Sequence, residues 1–383
     1  MKILFVAPWV PQAERPRSLG LLQHLADHHE VHVVVVAWSA AEEEKASDLP
    51  GATVRVVRQS KWRGIARAGA ALVTGRSLQQ AFVGSRALRR LLVGIGEAQS
   101  FDLAYLNVIR SAQLVDVVAA TRTIVDLDEF RSAYYAQVAE RSASPLSRVV
   151  GRIEAPRMRR AEAQIIERVD RYLVSSPVDV VPGDERARLV RSPHQMPEVG
   201  DRQSDHRDEM IFVGRMSYSA NVEAVEWFAN KVWPDLARRR PEMTWSVVGA
   251  DPVRSIRALS SQGIAVTGRV PSVAEFYRRC AVAIVPVTLA TGVQMKLIEA
   301  LYIGAPVVAS RLAADQAGVV DGVHCLTADT PEEWVSAVER VLSDPVAAAH
   351  VARSGQAWAR ANYESGVISA ALDAVINEVS WAD

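Results

Sequence analysis

Short apolar runs alternate with amphipathic segments along most of this chain. The amphipathic segments carry apolar residues three and four positions apart, which is the spacing of a helix with one buried face. The continuous runs are typical of strands that are buried on both faces of a parallel sheet. They occupy residues 2–7, 31–37, 54–57, 102–106, 123–127 and 172–176, and then 210–213, 245–249, 265–270, 282–287 and 307–309. This alternation predicts an α/β fold.

The alternation is interrupted at residues 196–208, which are rich in Pro, Gly, Asp and Ser and poor in apolar residues. This composition predicts a linker. We therefore expect a first domain over 1–195, a second over 209–364 and a final helix over 365–383. A chain of 383 residues is long enough for two domains that each bury a core.

The formal charge is zero, with 44 basic and 44 acidic residues, but the segment 55–90 contains no acid. Its basic residues are Arg55, Arg58, Lys61, Arg63, Arg67, Arg76, Arg86, Arg89 and Arg90. Over residues 61–96, apolar residues at helical intervals predict two amphipathic helices, which meet near Thr74 and Gly75. Such a surface suits an anionic membrane or an anionic acceptor. The alternative is that the arginines only solvate the outside of a helix pair.

Other features bear on the compartment and on the class of partner. Cys280 and Cys325 lie far apart, in apolar segments without metal-site spacing, which predicts reduced core thiols. The first apolar run ends at Pro8 and is too short for the core of a signal peptide. No run approaches the roughly 18 apolar residues of a membrane span, and no nucleic-acid motif is present. We expect a cytoplasmic protein, soluble or peripheral on the inner face of a membrane.

The most informative stretch is TGVQMKLIEALYIGAPVVAS, residues 291–310. It follows a predicted strand and places Val293 and Leu297 at helical spacing. Gly304 then predicts a left-handed cap that ends the helix. A helix that starts after a strand and a glycine turn directs unpaired amides at an anion.

Lys296 and Glu299 lie three positions apart on this predicted helix, so their side chains share a face of its first turns. An ammonium group and a carboxylate there suit a ligand with phosphate at one end and hydroxyl groups at the other. A sugar nucleotide has this shape. The alternative is a simple salt bridge on the helix surface.

The stretch resembles the donor-site signature of retaining glycosyltransferases of family 4, which have the GT-B fold. The family pattern has two glutamates eight positions apart, then an alanine-rich helix, a Gly-x-Pro turn and a Val-Val strand. Glu299 and residues 304–308, Gly-Ala-Pro-Val-Val, match the second half, whereas Thr291 occupies the position of the first glutamate. The resemblance implies two Rossmann-like, doubly wound domains facing across a cleft, with the C-terminal helix returning to the first domain.

The resemblance also implies a set of donor-binding residues. It assigns the donor diphosphate to Arg215, which follows a predicted strand and Gly214, and the ribose hydroxyls to Glu299. Ala220 replaces the family's usual lysine, so we expect Lys296 to supply the second positive charge. Backbone groups complete the set: Gly268, Arg269 and Val270 for the base, and Thr291, Gly292 and Val293 for the leaving phosphate. The alternative for Arg215 is a structural surface arginine.

The loop after the first predicted strand carries Arg15 and Arg17, and the next helix starts near Ser18 and Gly20. The resemblance places this loop at the cleft, where it helps to position donor phosphate and acceptor. From the residues alone, the two arginines could equally be solvated, and Ser18 is suited to cap a helix that runs to about His28. The loop lacks the GxGxxG pattern, which argues against a dinucleotide oxidoreductase.

Asp126 and Asp128 end another predicted strand of the first domain, which follows a predicted helix over 111–120. Carboxylates at the carboxyl end of a parallel strand point into the ligand crevice. Either residue could orient an acceptor hydroxyl or stabilise positive charge that develops on the sugar. The alternative is a helix cap with adjacent loop charges.

By resemblance, we expect a glycosyltransferase, in particular a hexosyltransferase of polysaccharide biosynthesis. It would move a sugar from a nucleoside-diphosphate sugar to a glycan, a lipid-linked oligosaccharide or another hydroxyl acceptor, with retention. Asp126, Asp128, Arg215 and Lys296 are its candidate catalytic residues. We expect no metal and no cofactor, because two cations can stabilise the departing diphosphate. Two alternatives are a nucleotide-sugar epimerase of the same architecture and a non-catalytic sugar-nucleotide or glycan-binding assembly protein.

Overall fold

The computed structural model describes residues 1–142, 144–197, 208–289 and 292–380, which form two compact units. Unit 1 consists of Met1–His194 and Ser365–Asp383, and unit 2 consists of Gln195–Glu364. Each unit has its own parallel sheet with helices between successive strands. Most of the predicted linker lies outside the described residues, and so does Thr291.

Unit 1 contains a parallel sheet that accounts for its predicted strands. In chain order the strands are β1 (Lys2–Ala7), β2 (Glu30–Ala37), β3 (Thr53–Arg58), β4 (Phe101–Asn107), β5 (Ala120–Asp128), β6 (Arg171–Val174) and β7 (Ala187–Leu189). In space they follow the order β3-β2-β1-β4-β5-β6-β7, and every neighbouring pair is parallel. The order therefore reverses direction between β1 and β4, which is the topological switch point of a doubly wound sheet.

Helices connect these strands and cover the sheet. They are α1 (Pro16–His28), α2 (Ala40–Lys45), α3 (Lys61–Thr74), α4 (Leu78–Val83), α5 (Arg86–Ala98), α6 (Val108–Ala112), α7 (Arg131–Arg141) and α8 (Pro145–Ile166). Side chains from both faces of β1 are buried, and Phe5 stacks on Tyr105 of β4 with ring centroids 5.2 Å apart. This burial on both faces explains the continuous apolar runs of the sequence.

Three predictions for the helices of unit 1 are wrong. The helix expected from Ser18 starts at Pro16, because proline suits a first turn whose amides need no intrahelical partner. The region 61–96 forms three helices rather than two, since Ser77 and Ser85 each cap a new one. The helix expected over 111–120 is the short α6, because Ala120 already belongs to β5.

Unit 2 repeats the architecture with a parallel sheet of its own. Its strands are β8 (Glu209–Val213), β9 (Thr244–Val248), β10 (Ile264–Gly268), β11 (Val282–Val285), β12 (Val307–Ala309) and β13 (Leu326–Thr327). In space they follow the order β10-β9-β8-β11-β12-β13, again with parallel neighbours. The switch point of this sheet lies between β8 and β11.

Helices of unit 2 pack on this sheet through large aromatic side chains. They are α9 (Ser219–Lys231), α10 (Trp233–Arg239), α11 (Arg254–Ala258), α12 (Ala274–Arg279), α13 (Met295–Ile303), α14 (Arg311–Ala317), α15 (Pro331–Ser343) and α16 (Pro345–Tyr363). Phe228 of α9 meets both Trp245 of β9 and Trp334 of α15 edge-on, at centroid distances of 5.1 and 5.5 Å. Gly304 caps α13 in the left-handed conformation, with φ of 85°, which confirms the predicted helix end.

A last helix, α17 (Ser365–Ser380), belongs to unit 1 although it follows unit 2 in the chain. His24 of α1 lies 2.7 Å from a carboxylate oxygen of Asp373. Glu378 accepts hydrogen bonds from Arg171 of β6 and from Arg188 of β7, at 3.3 and 2.9 Å. These contacts attach α17 to α1 and to one edge of the sheet.

Cys280 and Cys325 are buried and form no disulfide, as the sequence predicts. Burial raises the pKa of Cys325 to about 12, so its thiol remains protonated and unreactive at neutral pH. Among the described helices, none has the length and apolar character that crossing a membrane requires.

Candidate functional site

The carboxyl edge of the unit 2 sheet brings together most of the predicted donor-binding residues. Gly214 and Arg215 follow β8, and the segment before α13 follows β11, so both lie at the switch point. Gly268, which ends β10, lies two strands away along the same edge. In doubly wound sheets, ligands bind in the crevice outside this edge.

Three glycines bring the loops after β8, β9 and β10 into direct backbone contact. Gly249 has φ of 145°, and a Cβ placed there would lie 1.8 Å from the carbonyl oxygen of Gly214. Its amide also donates to the carbonyl oxygen of Gly268, at 3.2 Å. No other residue fits at position 249, because any side chain would overlap that carbonyl group. Backbone groups therefore line this edge.

Arg215 is half-exposed and makes a surface ion pair. Its Nε lies 3.4 Å from Asp251, and 54% of each side chain is exposed. The backbone beneath it is fixed, because Asn221 donates from Nδ2 to the carbonyl oxygen of Arg215 at 2.9 Å. An exposed pair of this kind contributes little to stability, so a diphosphate can readily replace Asp251 as partner of the guanidinium. Asn221 itself lies in the first turn of α9, which starts at Ser219.

Lys296 lies in the first turn of α13 and is partly buried. Its Nζ donates to Oε1 of Gln294 at 2.9 Å and lies 5.7 Å from the centre of the Phe212 ring of β8. Burial lowers the pKa of Lys296 to about 8, although the nearby Glu299 acts in the opposite direction. The ammonium group therefore has a neutral hydrogen-bond partner, and an incoming anion would stabilise its charge.

Glu299 is partly buried and lies beside a buried tyrosine. The hydroxyl group of Tyr277 on α12 lies 3.3 Å from Oε2 of Glu299 and 3.1 Å from the carbonyl oxygen of Lys296. Burial and the adjacent carboxylate raise the pKa of Tyr277 well above its usual value, so the phenol keeps its proton. This contact orients a carboxylate that can still accept hydrogen bonds from a ligand.

The other residues predicted to bind the donor lie before α13 and after β10. The helix expected to include Val293 begins only at Met295, because Gln294 is extended and its side chain donates to the carbonyl oxygen of Gly292, at 3.0 Å. Gly292 and Val293 thus lie just before α13. Arg269 is exposed and Val270 is partly buried, beyond the end of β10. Thr291 lies outside the described residues.

In unit 1, the strongest interaction at the carboxyl edge joins Arg17 to Asp126. The Arg17 Nη2 lies 2.6 Å from Oδ1 of Asp126, and its Nε lies 2.9 and 3.0 Å from the two carboxylate oxygens. Its Nη1 donates to the carbonyl oxygen of Val190 at 2.7 Å. Burial disfavours the charge of Arg17, but Asp126 and Asp128 outweigh it and raise the pKa of the guanidinium. Arg17 is therefore a buried structural cation and not a solvated arginine.

Ser18 and Gly20 also have structural roles on α1. The Ser18 hydroxyl group donates to Oδ1 of Asn107 at 2.7 Å, and Asn107 donates in turn to Oδ2 of Asp126 at 3.2 Å. Gly20 packs on Pro193, whose Cγ would lie 2.8 Å from an added Cβ. The structure thus places Ser18, Asn107 and Asp126 in one buried network with Arg17, whereas Gly20 lies outside that network, against Pro193. Ser18 caps no helix, because α1 begins before it.

Asp128 is far more exposed than its neighbour Asp126. Its side chain is 36% exposed, whereas Asp126 is fully buried. Asp128 has φ of 66°, in the left-handed region, and Val108 after β4 has φ of 58°. Strained backbone of this kind persists where the surrounding structure imposes it, often at functional sites. Hydrogen bonds from the Ser175 amide and hydroxyl group to the Asp128 carbonyl oxygen hold this conformation, at 2.8 and 3.0 Å.

Arg110 and Arg131 lie at the same edge and were not singled out from the sequence. Arg110 Nε donates to Oε1 of Gln79 at 3.0 Å, and the amide of Gln79 donates to the hydroxyl group of Tyr135. Arg131 forms an ion pair with Glu129. Each arginine follows the carboxyl end of a strand by about one helical turn, which is the signal that could have found them.

Acidic groups also crowd this edge. Asp179 follows β6, is 9% exposed, and its Oδ2 has no hydrogen-bond partner among the described residues. Burial, together with the charges of Glu129 and Asp128, raises the pKa of Asp179 to about 7. In the described part of the chain, no group of three or more His, Cys, Asp or Glu residues is arranged to hold a metal ion.

Comparison with known proteins gives one family match and a set of structural likenesses. Residues 207–344, which include Arg215, Lys296 and Glu299, match the family model described as Glycosyl transferases group 1. The crystal structure of Anabaena Alr3699/HepE in complex with UDP is 14% identical, with a TM-score of 0.66 over 99% of this chain and 100% of that chain. None of the curated proteins compared with the chain matches it.

Two further solved structures are similar over nearly the whole chain. Sucrose-phosphate synthase from Thermosynechococcus elongatus is 16% identical, with a TM-score of 0.69 and coverage of 100% of both chains. A mutant of S. aureus TarM, in complex with fondaparinux, alpha-GlcNAc-glycerol and UDP, is 8% identical, with a TM-score of 0.65 over 98% of this chain and 99% of that chain. At these identities, the likenesses describe the fold.

Proposed function

We propose that this chain, a glycosyltransferase with the GT-B fold, transfers a sugar from a nucleoside-diphosphate sugar to a hydroxyl acceptor with retention at the anomeric carbon. We further propose that it works without a metal ion and that the sugar is a hexose. The donor would occupy the carboxyl edge of unit 2. A glycan or a lipid-linked oligosaccharide would serve as acceptor.

The observation that carries this proposal is the pair of cations at the switch point of unit 2. Arg215 has an exposed partner that a ligand can displace, and Lys296 has a neutral partner and a partly desolvated charge. The first turn of α13 adds the partial positive charge of a helix N-terminus. Solved neighbours carry UDP and UDP-glucose in complexes of Alr3699/HepE, which supports a nucleotide sugar as the ligand.

The arrangement suggests a role for each donor-site residue. Arg215, Lys296 and the amides before α13 would hold the diphosphate and stabilise the charge that develops as it departs. Glu299, oriented by Tyr277, would accept hydrogen bonds from the ribose hydroxyls. The backbone around Gly268 would contact the base. Because two cations and a helix terminus already compensate the diphosphate, the mechanism needs no metal ion for that purpose.

Retention follows if the departing phosphate itself takes the proton of the acceptor hydroxyl. The acceptor then attacks from the face that the diphosphate leaves, and no covalent sugar–enzyme intermediate forms. Asp128 would orient the acceptor or stabilise charge on the sugar, because its carboxylate is the exposed one of the pair. Asp126 would act indirectly, by fixing Arg17 and the end of β5.

Calorimetric titration with uridine and guanosine diphosphates tests the donor site. We expect Arg215→Ala and Lys296→Ala each to weaken the binding of the preferred nucleotide about tenfold or more, since a hydrogen bond to a charged group contributes about 1.5–3 kcal/mol. Arg238→Ala is the matched control, because Arg238 is 71% exposed and forms a surface ion pair with nearby Asp235 on α10. Unchanged affinity in both site variants would refute the proposed donor site.

A donor-turnover assay then separates transfer from the other functions of this architecture. Sugar should move to an added acceptor faster than it is released to water. Epimerisation or hydrolysis of the donor without an acceptor would favour an epimerase. Nucleotide binding without consumption of any donor, across a panel of acceptors, would favour a binding protein.

A further inference from the structure

Three arginines converge at the carboxyl edge of unit 1: Arg15 lies in the loop after β1, Arg110 lies in α6 and Arg131 begins α7. The guanidinium carbons of Arg15 and Arg110 lie 4.3 and 5.4 Å from the centre of the Trp9 ring. Arg131 lies 5.8 Å from the Tyr135 ring, and Tyr135 is joined to Arg110 through Gln79. We call Arg15, Arg110 and Arg131 the arginine cluster.

The charges of the arginine cluster are poorly compensated within the chain. Glu129 pairs with Arg131, but among the described residues no carboxylate lies within ion-pair distance of Arg15 or Arg110. Nη1 of Arg15 and Nε of Arg131 are buried and have no hydrogen-bond partner in the described structure. Buried cations and unsatisfied donors are costly, so proteins retain them where a ligand supplies the missing charge.

The pKa values of Arg110 and Arg15 are lowered, as expected for cations without an ion-pair partner. Burial, followed by the charge of Arg131, lowers the pKa of Arg110 to about 10. Burial also lowers the pKa of Arg15, against the opposing charges of Glu42 and Glu14. An anion bound among the three arginines would remove this penalty and satisfy the open donors.

We propose that the arginine cluster binds an anionic group of the acceptor, a phosphate or a carboxylate. This inference rests on the proposed function, because it names the class of acceptor that unit 1 receives. Asp128 is close by at the end of β5, so an acceptor held through its anion can present a hydroxyl group to that carboxylate.

Thermal unfolding with inorganic phosphate and with glucuronate tests the arginine cluster. The protein is first saturated with its preferred nucleoside diphosphate, so that the site of unit 2 is filled. We expect either anion to raise the melting temperature of the wild-type chain by several degrees. Arg110→Gln and Arg15→Gln should lose this increment, and Arg110→Gln should also melt higher than wild type without the anion, because it removes an uncompensated charge.

Matched variants make the outcome decisive. Arg90→Gln, which removes an exposed arginine of α5, should keep the full anion effect, and Arg110→Lys should keep part of it. An increment that survives in both Arg110→Gln and Arg15→Gln would overturn the inference. The donor-site proposal is tested separately, because loss of nucleotide binding in Lys296→Ala must leave the response to glucuronate intact.

A second, independent observation concerns the outer surface of α3, which is apolar. The inner face of this helix is lined by Gly64 and Ala71, and Gly64 packs on the Phe82 ring, 2.7 Å from where a Cβ would lie. The large residues therefore point outward. Trp62, Ile65, Leu72 and Val73 recur at helical spacing on one face and are 80%, 54%, 50% and 91% exposed.

The start of α8 repeats this pattern. Leu146, Val149, Val150 and Ile153 are spaced i, i+3, i+4 and i+7 and are 74%, 50%, 37% and 36% exposed. Arg157, one turn further along that face, donates to the carbonyl oxygen of Leu72 at 2.9 Å and to that of Arg76 at 3.4 Å. The outer apolar face is our name for these eight apolar residues of α3 and α8. Monomeric proteins seldom expose an apolar surface of this kind without a partner.

The charges around the outer apolar face decide between partners. Neither acid of α8, Glu154 or Glu162, is exposed, and α3 contains none. The exposed charged side chains of the two helices are all basic: Lys61, Arg63, Arg148, Arg152, Arg159 and Arg160. A second copy of this face would bring like charges together, whereas an anionic bilayer offers negative headgroups above an apolar interior.

We infer that the outer apolar face lies on an anionic lipid bilayer, with Trp62 and Leu146 inserted at the interface. This surface extends the basic region 55–90 of the sequence to α8. Trp is favoured at the boundary between headgroups and acyl chains. Apolar insertion and headgroup attraction together provide the two contributions that stable peripheral binding needs.

Co-sedimentation with vesicles tests the outer apolar face. The full chain should bind vesicles that contain phosphatidylglycerol and should bind phosphatidylcholine vesicles at least tenfold more weakly. Trp62→Ser and Leu146→Ser should each lose most of the binding, whereas Val346→Ser should not, although Val346 is also 80% exposed. Equal binding to both vesicles, or a concentration-dependent dimer abolished by Trp62→Ser, would overturn the inference.

Discussion

The two sheets share one topology, yet they use the cations at their carboxyl edges differently. In unit 1, Arg17 is 7% exposed and makes a bidentate contact with the fully buried Asp126. In unit 2, Arg215 and its partner Asp251 are both 54% exposed and 3.4 Å apart. The first pair is closed to a ligand, whereas the second can exchange its partner.

This difference shows that position at a switch point is insufficient to identify a ligand-binding cation. A buried pair with good geometry keeps its partner, because removing either group leaves an uncompensated charge. An exposed pair is held weakly by water-screened attraction. The burial and the partner of each cation therefore separate structural cations from binding ones.

The strongest test of this comparison is the removal of each arginine in turn. Arg17→Met should lower the free energy of unfolding by about 3–5 kcal/mol, because it leaves the Asp126 charge buried and unpaired. Arg215→Met should change it by less than about 0.5 kcal/mol. Denaturant titration measures both values, and the double variant Arg17→Met/Asp126→Leu should recover much of the loss. Similar values for the two single variants would refute the distinction.

Asp179 provides the next largest expected effect, in unit 1. The folded chain holds its proton up to about pH 7, whereas the ordinary pKa of an Asp is 3.8, so stability falls as the pH rises through this window. Asp179→Asn should therefore be more stable than wild type at pH 8, on the order of 4 kcal/mol, and equal to it near pH 4. Thermal unfolding across this range measures the difference. A constant difference at all pH values would contradict the raised pKa.

Lys296 predicts a pH dependence of nucleotide affinity in unit 2. Its ammonium group loses its proton near pH 8, and a diphosphate binds the charged form, so affinity should fall about tenfold between pH 7 and pH 9. The terminal phosphate of the nucleotide contributes little there, because its own pKa is about 6. Lys296→Arg should bind with nearly constant affinity over this range, since an arginine stays charged. Calorimetry at several pH values measures the affinity. If the wild-type affinity does not change between pH 7 and pH 9, Lys296 is not a phosphate ligand.

The sequence predicted the local features of both units well. The strand over 2–7 and the cap at Gly304 were found, because continuous apolar runs and helix-ending glycines are local signals. The pairing of Arg17 with Asp126 joins residues 109 positions apart, and no local pattern encodes it. The same holds for Arg110 and its neighbours, whose meeting depends on strand order.

The helices of region 61–96 show a second limit. The sequence pattern of α3 identifies one apolar face, and the usual expectation is that this face packs on the core. The structure buries Gly64 and Ala71 instead and exposes Trp62. Periodicity gives the existence of two faces but does not tell which of them meets the rest of the chain.

The smallest expected effect on stability comes from Asp128. Its carboxylate is exposed at the carboxyl edge of unit 1, as Arg215 is at that of unit 2, so a ligand can reach it. Its backbone has φ of 66°, which costs most non-glycine residues about 1 kcal/mol. Asp128→Gly should therefore raise the free energy of unfolding by up to about 1 kcal/mol, because glycine adopts this conformation without strain.

The same substitution should lower sugar transfer, because it removes the carboxylate that we assign to the acceptor. Asp128→Asn separates the two effects, since asparagine tolerates the left-handed conformation and lacks the charge. Denaturant titration and transfer rates on the three chains decide the outcome. If Asp128→Gly is both less stable and fully active, the strain has no functional origin, and the acceptor hydroxyl must be oriented by another residue.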